Sequence, residues 1–257
     1  MPPPAERVFS KTRDHAPPGF FAAEAAGLAW LGEARAAGGV AVADVLEVRP
    51  GRIDLVRVAE VDASPGSAED LGRRLARTHR AGAPHHGSPP AGWSGDGWIA
   101  TLRLPHAAAA GGGWGAFYAA YRVEPFARAA GLGDEPSLRR LCDRLAAEDE
   151  DLVGPAEQPA RLHGDLWAGN VLWSPDGAVL VDPAAHGGHR ETDLAMLALF
   201  GLAHLDRVLA AYDETDPLPA GWRDRVPLHQ VHPLLVHAAL FGGGYGSQAV
   251  SAAGRYA

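Results

Sequence analysis

Residues 161–186 read RLHGDLWAGNVLWSPDGAVLVDPAAH and concentrate side chains suited to moving a phosphoryl group. His163, Asp165 and Asn170 fall in a His-x-Asp-Leu-x-x-x-Asn string, the spacing of a phosphoryl-transfer catalytic loop. Asn170 is followed by Val-Leu-Trp, a Ser174-Pro175-Asp176-Gly177 turn and Ala-Val-Leu-Val ending at Asp182, which predicts a β-hairpin. If Trp173 faces Ala178, then Asn170 faces Val181. The hairpin then returns Asp182 beside Asn170, where an amide oxygen and a carboxylate can share one hard cation. Phosphoryl transfer requires a base that holds the acceptor hydroxyl in line, and Mg²⁺ to offset charge on the phosphate oxygens. Asp165 suits the first task, Asn170 and Asp182 the second. His163 is read as a brace for the loop. Zinc is a poor rival, because His186 and His189 would need two carboxylates from a separate loop to complete the ligand set.

Of the 23 basic residues only Lys11 is a lysine, and Asn170 is the single asparagine. Coding bias accounts for the depletion, yet a site that needs a compact ammonium or a neutral amide oxygen cannot accept Arg, Asp or Ser instead. Glu24 lies on the apolar stripe of an Ala-rich helical segment from Phe20 to Ala37, with Phe20 or Phe21, Leu28, Leu31 and Arg35. A carboxylate on a buried face needs a cation, or it snorkels at the stripe's edge. Lys11 is the nearest unusual candidate, and could hold nucleotide phosphates while Glu24 orients it.

The elements that must position these groups follow from periodicity. Strand-like runs cover Val40 to Val48 and Arg52 to Val58 around an Arg49-Pro50-Gly51 turn, and 62–66 reads as a connector. Ser67-Ala68-Glu69-Asp70 is expected to open a helix, with Leu71, Leu75 and Thr78 inward. Residues 81–113 read as irregular. Helices are expected at about 114–130, 136–152, 191–213 and 227–241. The formal charge of −8 argues against a nucleic-acid surface, no apolar run reaches the roughly 18 residues of a membrane span, and the start lacks a signal-peptide pattern. The expected address is the cytoplasm. The lone Cys142 permits no internal disulfide.

HGDLWAGN followed by VDPAAHGGHRETDLAMLALFG resembles the fructosamine kinase (ketosamine-3-kinase) family, within the fold that includes aminoglycoside and choline phosphotransferases. Trp167 and the Gly188-His189-Arg190-Glu191 string favour this branch. LGRRLARTH at 71–79, WGAFYAAYRVEPFARAAG at 114–131 and LLVHAALFGGGY at 234–245 extend the likeness over nearly the whole chain. The resemblance implies an α+β, protein-kinase-like two-lobed fold and ATP-dependent phosphorylation of the 3-hydroxyl of ketoamines, free or protein-bound. In the family two strands and a nucleotide-covering loop precede the lysine strand, whereas ten residues precede Lys11 here. The expected N-terminal β lobe is therefore truncated, with a start upstream favoured over a lid-free enzyme or an inactive remnant.

These readings place a small N-terminal lobe at 1–61 and a mostly helical lobe at 62–257. Val58 to Val61, with Val58, Glu60 and Val61 as nucleotide contacts, is the expected hinge offering backbone groups to adenine. ATP and Mg²⁺ are the expected cofactors, held by Lys11, Glu24, Asn170 and Asp182. Trp167, His189, Arg190 and Glu191 are the expected ketoamine contacts, although Glu191 and Thr192 could instead start a helix whose Leu194, Leu197 and Ala198 are core. Two alternatives stay open: another phosphotransferase of the same fold acting on an aminoglycoside or amino alcohol, and a nucleotide-binding pseudokinase. The oligomeric state is not legible.

Overall fold

The computed structural model describes residues 7–257. Strand β1 (Val8–Thr12) carries Lys11 and pairs antiparallel with β4 (Arg52–Val56), Lys11 opposite Ile53; β4 pairs in turn with β3 (Val45–Arg49). Helix α1 (Phe20–Gly32) packs beneath this sheet, and Phe21, Leu28 and Leu31 are buried together with Glu24. The expected helix ends earlier than Ala37, because the last turn tightens to a 3₁₀ turn over Glu33–Ala37 before Gly38 adopts a left-handed φ of 81°. Strand β2 (Ala41–Val42) leaves this sheet and pairs in parallel with β9 (Gly177–Leu180), whose hairpin partner is β8 (Val171–Ser174).

Helix α2 (Pro65–Arg80) starts two residues before the expected position. Ser64 is the cap: its hydroxyl accepts from the Ser67 N–H at 3.1 Å, and Ser67 Oγ accepts from the Ser64 N–H at 2.9 Å. Pro65, read as part of the connector, sits in the first turn, where its missing N–H costs nothing. Two short strands, β5 (Gly97–Ile99) and β6 (Leu102–Leu104), form a hairpin inside the stretch expected to be irregular.

Helices α3 (Trp114–Tyr118) and α4 (Glu124–Ala129) are joined by a π turn over Ala119–Val123, and α5 (Pro136–Ala146) and α6 (Glu150–Val153) follow. Strand β7 (Ala160–Leu162) leads into the His163 loop and pairs antiparallel with β10 (His186–Gly188), Leu162 opposite His186. The chain ends through α7 (Glu191–Phe200), α8 (Leu205–Thr215), α9 (Trp222–Phe241) and α10 (Tyr245–Ala253). The expected 191–213 helix is thus two, broken where Gly201 takes a φ of 78°.

Two apolar cores result. One joins α3 to α6 with α9 and α10; the other joins α1 and the first sheet to α2, the β8–β9 hairpin, α7 and α8. The second core crosses the expected boundary near residue 62, so Leu55 and Leu71 belong to one packed unit. The β8–β9 hairpin and the strand that carries Lys11 therefore share one apolar core. No helix among the described residues is long and apolar enough to cross a membrane.

Candidate active site

A cavity of about 740 Å³ lies between β1, the start of α1, the β5–β6 hairpin and the loops that carry Asp165 and Asp182. Lys11 Nζ donates to both Glu24 oxygens, at 2.9 and 3.0 Å, and to Asp182 Oδ1 at 2.5 Å. Period-2 alternation in β1 and the helical stripe of α1 bring the first pair together. Glu24 is only 9% exposed, and burial raises its pKa against the opposing pull of Lys11. Burial also works against the Lys11 ammonium, but Glu24 and Asp182 outweigh it and its pKa is raised. Lys11 is a fixed cation aimed into the cleft.

The β8–β9 hairpin has the expected register, Trp173 opposite Ala178, and the Val181 N–H donates to Asn170 O at 3.1 Å. Asp182 follows at once with a φ of 55°, a left-handed conformation that costs a non-glycine residue energy and turns its carboxylate back toward Lys11. Asn170 Nδ2 donates to Asp165 O at 2.8 Å and Asp165 Oδ2 at 3.3 Å. That orientation leaves the Asn170 carbonyl oxygen, with the Asp182 carboxylate, as hard ligands for a divalent cation. Asp165 has a pKa pushed up to about 6, first by burial, with Asn170 lowering it and the charges of Asp182 and Asp193 raising it.

His163 holds the loop from within. Its Nδ1 accepts the Asp165 N–H at 3.3 Å, so Nε2 carries the proton and donates to Val181 O at 2.9 Å. Burial lowers its pKa and keeps it neutral. Beneath it Asp193, on α7 and fully buried, accepts the His163 and Gly164 N–H groups at 2.8 and 2.9 Å and His79 Nε2 at 3.1 Å, while His79 Nδ1 meets Tyr212 Oη at 2.8 Å. Asp193 was not singled out from the sequence. Its one signal is a carboxylate among apolar neighbours, Leu194, Ala195, Met196 and Leu197, where an unpaired charge could not stay.

Trp167 is 41% exposed at the cleft mouth, edge-on to Phe200 with ring centroids 6.4 Å apart. The structure does not bring His189, Arg190 and Glu191 to this cleft. β10 runs antiparallel to β7, so the chain leaves the Asp182 loop and emerges beside Ala160, about 10 Å of strand further on. Arg190 is bound by Glu157 at 2.6–3.1 Å and by Asp216 at 3.3 Å. Glu191 takes a fork from Arg225, at 2.5 and 2.9 Å, and His229 Nε2 lies 3.3 Å from it. His189 lines a different cavity with Trp114, Glu157 and Arg225. His189, Glu191 and His229 lie close enough to hold a metal, but Arg225 occupies both Glu191 oxygens, which favours an ion-pair network. His189, Arg190 and Glu191 are engaged by Glu157 and Arg225 away from the cleft, and the expectation that they touch an acceptor there is corrected.

The expected hinge does connect β4 to α2, but none of Val58, Glu60 and Val61 lines the cavity. The Val61 N–H is committed to Trp173 O at 2.9 Å, which removes it as a donor to adenine. Phe20, Trp93, Trp98 and Arg13, which do line the cavity, were not picked out as site residues. Their shared location depends on the β5–β6 hairpin, whose three-residue strands are too short for a periodic pattern to single them out.

Residues 3–256 match the fructosamine kinase family. The chain is similar to the probable ketoamine kinase of Thermus thermophilus, 38% identical over 93% of this chain and 83% of that one. It is also similar to the crystal structure of a Thermobifida fusca protein assigned as a fructosamine-3-kinase, with a TM-score of 0.84 and 46% identity over 96% of this chain and 84% of that one. The choline kinase of Streptococcus pneumoniae, at a TM-score of 0.60 and 13% identity over 98% of this chain and 88% of that one, shares the fold.

Proposed function

The chain belongs to the fructosamine kinase family, and from that membership and the cleft we propose that it transfers the γ-phosphoryl group of ATP to the 3-hydroxyl of a ketoamine. The observation that carries this reading is one cavity lined by Lys11, Glu24, Asp165, Asn170 and Asp182. Asp165 accepts the proton of the acceptor hydroxyl as its oxygen bonds to phosphorus and the bond to ADP breaks. Its raised pKa favours this role, since a base near 6 is ionised at neutral pH yet takes a proton more readily than an ordinary aspartate. Asn170 keeps Asp165 in place through its Nδ2. Lys11, held by Glu24, neutralises nucleotide phosphates.

Asn170 Oδ1 and Asp182 would hold Mg²⁺, which offsets the charge on the phosphate oxygens. Their oxygen donors fit that hard ion. Trp167 lies where a sugar or its amine-bearing carrier would stack. Phosphorylating the sugar of a glycated amine, free or on a protein, would serve deglycation in the cytoplasm. A coupled ADP-release assay over ribulosamine, fructosamine, aminoglycoside and choline panels tests the reading. Turnover confined to ketoamines supports it; turnover on another class, or magnesium-dependent ATP binding without any turnover, refutes it.

A further inference from the structure

Beyond the phosphate-facing groups, the cavity has a second wall. Phe20 begins α1 and packs against Trp98 of β5, with centroids 5.8 Å apart and planes tilted by 49°. Trp93 comes from the loop before β5, fixed by an Nε1–H bond to Asp96 O at 3.2 Å. Its ring lies against Gly19, where an added Cβ would stand 2.9 Å from it; only glycine, here at a φ of 81°, permits the contact. Arg13 stands over Phe20, its guanidinium carbon 4.7 Å from the ring centroid, and Nη1 reaches Ala100 O at 3.3 Å. Arg13, Phe20, Trp93 and Trp98 all line the same cavity as Asp165 and Trp167.

Charge decides what this wall can recognise. Among the described residues the carboxylates lining the cavity are Glu24, Asp165 and Asp182, and each already serves Lys11, the acceptor hydroxyl or the cation. None of these three remains to meet a polycationic acceptor. Among the described residues Arg13 has no carboxylate within salt-bridge reach, and four of its five N–H donors are unaccounted for by its bond to Ala100. A guanidinium among aromatic faces favours a carboxylate, which it can bind through two parallel bonds.

We propose that this wall reads the carrier amine of the ketoamine: Phe20, Trp93 and Trp98 take a small apolar side chain, and Arg13 binds the carboxylate of a free amino acid. The preferred acceptors are then low-molecular-weight glycated amino acids. The proposal rests on the ketoamine-kinase reading, and the test separates the two. The ribulose adduct of valine is compared with that of isobutylamine, which has the same carbon skeleton without the carboxylate, in the wild type, Arg13→Gln and Trp98→Ala.

The wild type should show a KM at least about tenfold lower for the valine adduct, the scale of a charge-assisted pair. Arg13→Gln should raise that KM until the preference disappears, with KM for ATP unmoved. Trp98→Ala should raise KM for both adducts. Equal KM values in the wild type overturn the proposal without recourse to any variant. So does an Arg13→Gln enzyme that keeps the preference and loses ATP affinity, because Arg13 would then belong to the nucleotide. If neither adduct is phosphorylated the underlying kinase reading fails and this one falls with it, whereas turnover of both without preference removes only the Arg13 assignment.

Discussion

Replacing Asp165 by Asn should separate chemistry from stability in opposite directions. The substitution keeps shape and an oxygen for Asn170 Nδ2 but removes the charge. Loss of a positioned base should lower kcat by about 10²–10⁴ while the Lys11–Glu24 pair, untouched, preserves ATP binding. Stability follows from the pKa, raised in the folded protein from the ordinary 3.8 to about 6. A raised pKa means that folding favours the protonated form, so this group's contribution is fully present below about 3.8 and is lost as pH rises through about 6. Above that, holding the carboxylate ionised costs at most about 3 kcal/mol. At pH 8 the Asn variant should melt several degrees higher than the wild type, at about 2–4 °C per kcal/mol for a chain of this size, and the difference should shrink to nothing near pH 4. Calorimetry at pH 4, 6 and 8 beside an ADP-release assay measures both. A variant as active as the wild type, or one that melts lower at pH 8, would refute the reasoning.

The same pKa predicts that kcat/KM falls on the acid side with a midpoint near pH 6, and a flat profile between pH 5 and 8 would contradict Asp165 as base. Glu24→Gln removes the charge that orients Lys11 and should raise KM for ATP about 10- to 100-fold, read from initial rates. Asp193→Ala strands two buried N–H groups and His79, so it should cost about 3–5 kcal/mol and lower kcat in whatever remains folded; a fully active, equally stable variant would detach the catalytic loop from α7. Glu191→Gln leaves Arg225 a buried unpaired charge and should lower the melting temperature through a loss of about 3–5 kcal/mol. The ketoamine KM of the folded fraction should stay put.

The catalytic segment was legible because local rules determine it. Alternation and a Pro-Asp turn set the register that puts Asp182 beside Asn170, and a helical stripe carrying one carboxylate pointed to Lys11. What was missed depends on contacts distant in sequence. The β5–β6 hairpin packs through Trp98 on Phe20, 78 residues away. The direction of β10 is a property of its pairing with β7, so nearness in sequence to Asp182 misplaced His189, Arg190 and Glu191 in the cleft. The start of α2 was displaced because Pro65 reads equally well as a connector and as a first helical residue.

The central claim is tested most directly by locating the phosphate on the product. A ribulosamine incubated with the protein, ATP and Mg²⁺ should yield ADP and a singly phosphorylated sugar, with ³¹P–¹H coupling to the proton on carbon 3, and Asp165→Asn should form that product about 10²–10⁴ times more slowly. ADP release with the phosphate on water, on another hydroxyl or on no acceptor would contradict the account.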